Sequence, residues 1–296
     1  MVRVPGDDHQ LELEDGRTIG YATWGEPGGT PVFFAHGTPG SRWVRFPSLD
    51  DPAWLGRWRL RFIGVDRPGY GYSGPRPEAG LLECAEDIVR VADRLGIERF
   101  SAIGFSGGGP YAIALGALVP ERLGGVAVVS GLGMLDRPGA FEGMDEANAA
   151  DFEMARESPE VLATELDEAA REVRENSWGN VSEISEELPE VDRLMLERPS
   201  AQALFFGPSQ EAVRQGAAGW VDDHLRFVRP WPFRLDGIVG VDVRFYHGED
   251  DVLVPAQHAK HLAKRITGSR LQLYPGEGHF SIDSHIKEIV EVLLAP

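Results

Sequence analysis

Several shortages in this chain each remove a class of function. Among 296 residues there is one cysteine, Cys84, so no internal disulfide and no cysteine-built zinc site can form. Cys84 lies in a helical pattern near Ile88, where a core thiol is expected rather than a reactive one. No apolar run approaches the roughly 18 residues that a membrane span needs. The opening stretch, Met1-Val2-Arg3-Val4-Pro5-Gly6-Asp7-Asp8, lacks the apolar segment of a secretory signal, and a cytoplasmic protein is expected. Positive charge is scarce. Lys and Arg number 29 against 47 Asp and Glu, for a formal net charge of −18, which disfavours nucleic acid and anionic membranes as partners. A small-molecule substrate is the expected partner. His258 and His261 lie three apart in a helical run, but no third ligand accompanies them, so neither a metal nor a cofactor is expected.

What is present suits a large folded core. Apolar residues make up 42% of the chain, and the length fits an α/β core carrying an insertion. Gln10–Glu14 and Thr18–Trp24 flank Asp15-Gly16 and predict a β-hairpin. Short buried-strand runs follow at Pro31–Ala35, Leu60–Val65, Phe100–Ile103 and Gly125–Val129, with a partly helical stretch over Ser41–Trp58. Leu81–Leu95 has apolar residues at helical spacing, with Gly96 as a stop, and Ala112–Val119 continues a helix. From Asp136 to Val228 the pattern is helical, without strand runs. Between Asp136 and Arg198 there are 19 acidic and 6 basic residues, expected to form a solvated helical surface, with attraction of a cationic substrate as the alternative. Pro230-Trp231-Pro232 is a stiff return. Strand–helix alternation resumes at Val241–Tyr246, Ala256–Ile266, Arg270–Leu273 and Ile286–Leu294. Short apolar strands alternating with helices predict a mostly parallel sheet covered on both faces.

The chemistry is concentrated at strand ends. Gly104-Phe105-Ser106-Gly107-Gly108-Gly109 joins an apolar strand run to a helical run, as a nucleophile elbow does. No Lys-Ser/Thr pair closes the run, which counts against a phosphate loop. A serine hydroxyl needs a base, and that base needs a carboxylate to orient it. His279, in Gly276-Glu277-Gly278-His279-Phe280, is placed to be the base. Asp251, in His247-Gly248-Glu249-Asp250-Asp251, is a good acid. Glu249, Asp250 and Asp136 compete with it. The loop His36-Gly37-Thr38-Pro39-Gly40-Ser41 follows a strand, and the backbone N–H groups of Thr38 and Gly107 can form an oxyanion hole. Asp66 and Arg67, in the next strand-end loop, are expected to brace loops rather than react.

In this order the motifs resemble the α/β-hydrolase-fold serine hydrolases with a helical cap. The resemblance rests on His36-Gly37-x-Pro39-Gly40, Asp66-Arg67-Pro68-Gly69-Tyr70-Gly71-x-Ser73, Gly104-x-Ser106-x-Gly108, Gly248-x-x-Asp251-x-x-x-Pro255 and Gly278-His279, and covers nearly the whole chain outside the acidic stretch. It implies an α/β fold with a mostly parallel eight-stranded sheet flanked by helices. The core would comprise residues 1–135 and 236–296, with a helical cap over 136–235. It implies Ser106 as nucleophile, His279 as base and Asp251 as orienting acid, with Thr38 and Gly107 as oxyanion donors. Related epoxide hydrolases and haloalkane dehalogenases need a carboxylate where Ser106 stands. The expected reaction is hydrolysis of a carboxylic ester or similar acyl bond through an acyl-enzyme on Ser106. The His-Gly-x-Pro-Gly loop also resembles that of proline iminopeptidases, although the tryptophan common after their serine is missing. C–C hydrolase, lactonase, perhydrolase and lyase chemistry use the same triad, and the fold also hosts catalytically inactive binding proteins. Trp178, Phe205, Phe206, Trp220 and Trp231 are the aromatic candidates for the pocket roof, the alternative being that they dock the cap to the core.

Overall fold

The computed structural model describes residues 6–175 and 188–295. Eight strands form one sheet: β1 (Asp7–Glu12), β2 (Thr18–Gly25), β3 (Thr30–Ala35), β4 (Leu60–Val65), β5 (Phe100–Phe105), β6 (Leu123–Val129), β7 (Val243–Gly248) and β8 (Arg270–Tyr274). Their spatial order is β1-β2-β4-β3-β5-β6-β7-β8. The first two strands form the predicted hairpin, and β2 runs antiparallel to β4. All later pairings are parallel. This is the mostly parallel, eight-stranded sheet expected.

The strands read as continuous apolar runs because both faces are covered. In β3, Phe33 and Ala35 face one layer while Val32 and Phe34 face the other. The first layer holds α2 (Leu81–Arg94) and α3 (Gly109–Leu118). In α2, Leu81, Ala85, Ile88 and Ala92 are buried at helical spacing. Glu83 accepts a hydrogen bond from Gly80 N–H at 2.9 Å and satisfies a free amide at the start of that helix. Cys84 is buried there, and burial pushes its thiol up to about 12, so it is a packing residue. The opposite layer holds α1 (Pro52–Trp58) and the C-terminal helix (Ile286–Leu294).

Between β6 and β7 the described residues contain helices and no strand. The longer helices of this excursion are α4 (Glu146–Glu157), α5 (Pro159–Glu175), α6 (Glu190–Leu196) and α7 (Ala218–Phe227). A small core of its own, including Ala155, Leu162, Leu166, Ala170 and Val213, packs α4, α5 and α7 together. Among the described residues no helix is long and apolar enough to cross a membrane.

Several boundaries differ from expectation. β6 begins at Leu123, because Gly124 and Gly125 continue the strand beside a register shift at Phe100/Ser101. β7 runs on to Gly248, pairing His247 with Leu273 and Gly248 with Tyr274 on β8. The polar His247 had suggested a loop, but here it is a fully buried strand residue.

Candidate active site

Ser106 sits where β5 ends and a short 3₁₀ turn, Ser106–Gly108, leads into α3. Its φ of +54° lies in the left-handed region, which is costly for a side chain and is held only by the surrounding packing. The flanking glycines make this possible. A Cβ at Gly104 would lie 2.5 Å from Gly108 O, and one at Gly108 would press on the carbonyl oxygen of Ala35. Strand and helix therefore approach closely enough to present Ser106 at the top of the sheet.

Asp251 follows β7 and His279 follows β8. The Asp251 side chain is inaccessible to solvent. Its Oδ2 lies 2.8 Å from His279 Nδ1, and its Oδ1 accepts the Val254 N–H at 2.8 Å. A second imidazole shares the carboxylate, with His247 Nε2 lying 3.2 Å from Oδ2 and 2.6 Å from Val254 O. Burial would raise the Asp251 carboxyl, but the adjacent His279 and His247 outweigh it and hold the group well below the carboxylate range. Burial likewise opposes the charged form of His279. The Asp251 carboxylate, by charge and hydrogen bond, and the Asp192 charge overcome this and hold the imidazole above its ordinary value. The competing acids are placed elsewhere: Asp136, Glu249 and Asp250 are all exposed.

Ser106, His279, Thr38 and Gly107 line one cavity of about 530 Å³. Its remaining wall is mainly apolar, with Val44, Leu132, Phe152, Phe205, Trp220 and Phe227 among the lining residues. Two of the expected pocket aromatics, Phe205 and Trp220, thus face the cavity. Trp178 and the side chain of Phe206 lie outside the described residues. Trp231 follows the other reading of these aromatics: it is buried in the core on the α2–α3 side, its ring 5.5 Å from Phe233.

The loop from His36 to Ser41 is braced from behind. A Cβ on Gly37 would lie 3.3 Å from Ser106 Cβ, so the loop runs directly beside the serine. His36 is fully buried, with Nδ1 2.8 Å from Gly37 O and Nε2 accepting the Arg67 N–H at 3.3 Å. Burial and the neighbouring Arg67 push it well below the ordinary histidine value, so it is a neutral structural group. Arg67 donates to His36 O, to Gly37 O at 2.9 Å and to Thr38 Oγ1 at 2.8 Å. Asp66 accepts from the backbone amides of Arg42 and Tyr72 at 2.6 and 2.9 Å. Both residues brace loops.

The expectation of a solvated acidic surface needs correcting at several places. Asp192 is fully buried, and Asp145 and Asp151 line the cavity. Burial, and then the charges of Glu165 and Asp145, push Asp151 up to about 6. Beyond the acidic run, Asp223 on α7 is also fully buried and accepts hydrogen bonds from Arg67, Thr38, Tyr70 and Tyr111. No sequence signal separates Asp192 and Asp223 from their many exposed acidic neighbours. Their partners lie 87 and 156 positions away in the chain.

Comparison with known proteins agrees with this architecture. A family model described as the alpha/beta hydrolase fold matches residues 30–286. A proline iminopeptidase from Xanthomonas citri is 28% identical over an alignment covering 95% of this chain and 93% of the relative. Among solved structures, a hydrolase from Pseudomonas aeruginosa has a TM-score of 0.71 at 18% identity, covering 98% of this chain and 99% of the other. An esterase from Exiguobacterium antarcticum has a TM-score of 0.64 at 21% identity, covering 96% and 97%. At these identities the structural likeness speaks for the fold alone.

Proposed function

The chain belongs to the α/β-hydrolase family, and on that premise we propose that it is a serine hydrolase cleaving a carboxylic ester or related acyl bond of a small molecule. One observation carries the reading: a strained serine and a carboxylate-backed imidazole open into the same largely apolar cavity. Residues 136–235 serve as its cap.

In the first half of the reaction Ser106 Oγ attacks the carbonyl carbon while His279 Nε2 takes the hydroxyl proton. Asp251 keeps the Nδ1 proton of His279 directed towards itself and stabilises the imidazolium that forms. The carbonyl oxygen becomes an oxyanion facing the backbone N–H groups of Thr38 and Gly107, each such donor contributing about 3 kcal/mol to transition-state stabilisation. Collapse of the tetrahedral intermediate breaks the bond to the leaving group, which receives the proton from His279. Water then attacks the acyl-Ser106 ester with His279 again as base, releasing the acid and restoring the serine.

Incubation with a fluorophosphonate probe is expected to label the protein at Ser106, with labelling and turnover of p-nitrophenyl esters both abolished in Ser106→Ala. Labelling that survives in Ser106→Ala would show the nucleophile to be another residue.

A second reading, an aminopeptidase of the proline-iminopeptidase kind, is favoured by Asp145 and Asp151 on the cavity wall. A carboxylate pair in an apolar cavity suits a substrate ammonium group. That the 28% identical relative from X. citri is named a proline iminopeptidase adds to this. Aminoacyl-naphthylamides tested beside p-nitrophenyl esters distinguish the two.

A further inference from the structure

Two side chains of the excursion reach through to the loops beneath it. Asp192, on α6, has no solvent exposure. Its Oδ2 accepts the His279 N–H at 2.7 Å, and its Oδ1 accepts the N–H groups of Phe280 and Ser281 at 2.9 and 2.8 Å. Three successive amides around the base thus converge on one carboxylate. The fit is close enough that a Cβ on Gly278 would overlap that carboxylate. Asp223, on α7, makes the equivalent connection on the other side of the site. Its Oδ2 accepts from Thr38 Oγ1 at 2.8 Å, Arg67 Nη2 at 2.6 Å and Tyr70 OH at 2.9 Å, and its Oδ1 accepts from Tyr111 OH at 2.5 Å. Arg67 also donates to Thr38 Oγ1 and Gly37 O, so the whole oxyanion loop is tied to α7. Neither carboxylate is among the residues lining the cavity.

We propose that Asp192 and Asp223 are positioning residues through which the docked excursion assembles the active site, Asp192 aligning the base loop and Asp223 the oxyanion loop. The proposal rests on the serine-hydrolase reading above. Both buried carboxylates take hydrogen bonds that the loops supply, Asp223 in addition to one from Arg226 of its own helix at 3.3 Å, and stripping a buried charge of partners is strongly unfavourable. Correspondingly, the loops need the carboxylates: the His279, Phe280 and Ser281 amides lose a common acceptor when α6 moves away. The contacts of α6 and α7 are therefore coupled to the alignment of the base and the oxyanion hole.

The two arms differ in a measurable way. His279 is faced by the carboxylates of Asp251 and Asp192, with His247 sharing Asp251. Asp192 contributes charge to the base as well as alignment, whereas Asp223 acts through Thr38. The test uses the full-length protein, steady-state p-nitrophenyl ester kinetics across pH, and the rate of fluorophosphonate labelling. Asp192→Asn keeps the side-chain size but sets an amide N–H₂ against a backbone N–H. It is expected to lower kcat by about 100-fold, the effect of a displacement of about 1 Å at the reacting atoms, and to move the acid limb of the pH profile to lower pH. Thr38→Val keeps the backbone N–H and removes only the hydroxyl that Asp223 and Arg67 hold. It is expected to lower kcat and labelling rate while leaving the acid limb in place. Asp167→Asn, at an exposed ion pair with Arg171 on α5, is expected to retain wild-type kinetics. Thermal unfolding identifies the variants that are folded. If Asp192→Asn does not fold, Thr38→Val, on the cavity wall, decides the matter. A folded Asp192→Asn with an unmoved acid limb, or a folded Thr38→Val with kcat within about twofold of wild type, would overturn the proposal. Absence of labelling in the wild-type protein would instead remove the serine-hydrolase reading, and this inference with it.

Discussion

Asp251→Asn keeps the size of the side chain and removes its charge, so its effect can be worked out atom by atom. Oδ1 of Asp251 accepts the Val254 N–H at 2.8 Å, while Oδ2 faces His279 Nδ1 at 2.8 Å and His247 Nε2 at 3.2 Å. An asparagine retains its carbonyl oxygen on Val254, because that amide needs an acceptor. Its N–H₂ then occupies the Oδ2 position and points at two imidazoles. His247 can keep its Nε2 proton directed at Val254 O, 2.6 Å away. His279 has no such alternative at Nδ1, which must become an acceptor and leave the proton on Nε2. In that tautomer it cannot take the proton of Ser106. In a serine–histidine–aspartate triad this change lowers kcat by about 10⁴-fold, or about 5 kcal/mol of barrier. The pH profile gives an independent check. In the wild-type protein Asp251 and Asp192 overcome the effect of burial and hold His279 above its ordinary 6.5. The base acts in its neutral form, so kcat/KM is expected to fall as pH drops through a value above 6.5, and Asp251→Asn moves that limb to lower pH. p-Nitrophenyl ester turnover across pH, with thermal unfolding as a control for folding, measures both effects. A folded Asp251→Asn retaining more than about a tenth of wild-type kcat would refute the tautomer argument and reopen the assignment of the acid.

Gly108→Ala places a methyl group against the carbonyl oxygens of Ala35 and His36; overpacking of about 1–3 kcal/mol is expected, read as a lower thermal midpoint, together with a loss of activity because the turn carrying Ser106 shifts. An unchanged midpoint would mean that the close approach of the turn after Ser106 to the end of β3 is not needed. Asp151, pushed up to about 6 by burial and by Glu165 and Asp145, is a carboxylate only above that pH. On the aminopeptidase reading, KM for an aminoacyl-naphthylamide falls as pH rises through about 6, KM for a neutral ester does not, and Asp151→Asn removes the difference; an amide KM independent of this residue and of pH would exclude the aminopeptidase reading.

Much of the fold is legible in the sequence because its signals are local. Apolar strand runs, helical spacing over Leu81–Leu95 and the Asp15-Gly16 turn each depend on a few neighbouring residues, and the structure has a strand, helix or turn at each. The motif order placed Ser106, Asp251 and His279 at strand ends, and they do lie just beyond β5, β7 and β8. The less legible features depend on distant partners. Asp192 and Asp223 belong to a strongly acidic chain in which charge ordinarily means exposure, and the approach of the 279–281 amides to the one and of Arg67, Thr38, Tyr70 and Tyr111 to the other makes their burial tolerable. His247 is similar: in sequence it starts a polar loop, while in the sheet it is the last-but-one residue of a paired strand. Trp231 resembled a pocket aromatic by residue type, but the return segment carries it into the core.

The strand order also has a kinetic side. Ser106 is borne by a strand in the middle of the sheet, paired on both sides by β3 and β6. His279 follows β8, the outermost strand, paired on one side only and with Arg270 and Gln272 exposed. Local opening begins where pairing and burial are thinnest. Fraying at the β8 edge would detach the base while the central strands and the serine turn remain folded. On the serine-hydrolase reading, the active lifetime would then follow the stability of one edge rather than that of the whole molecule.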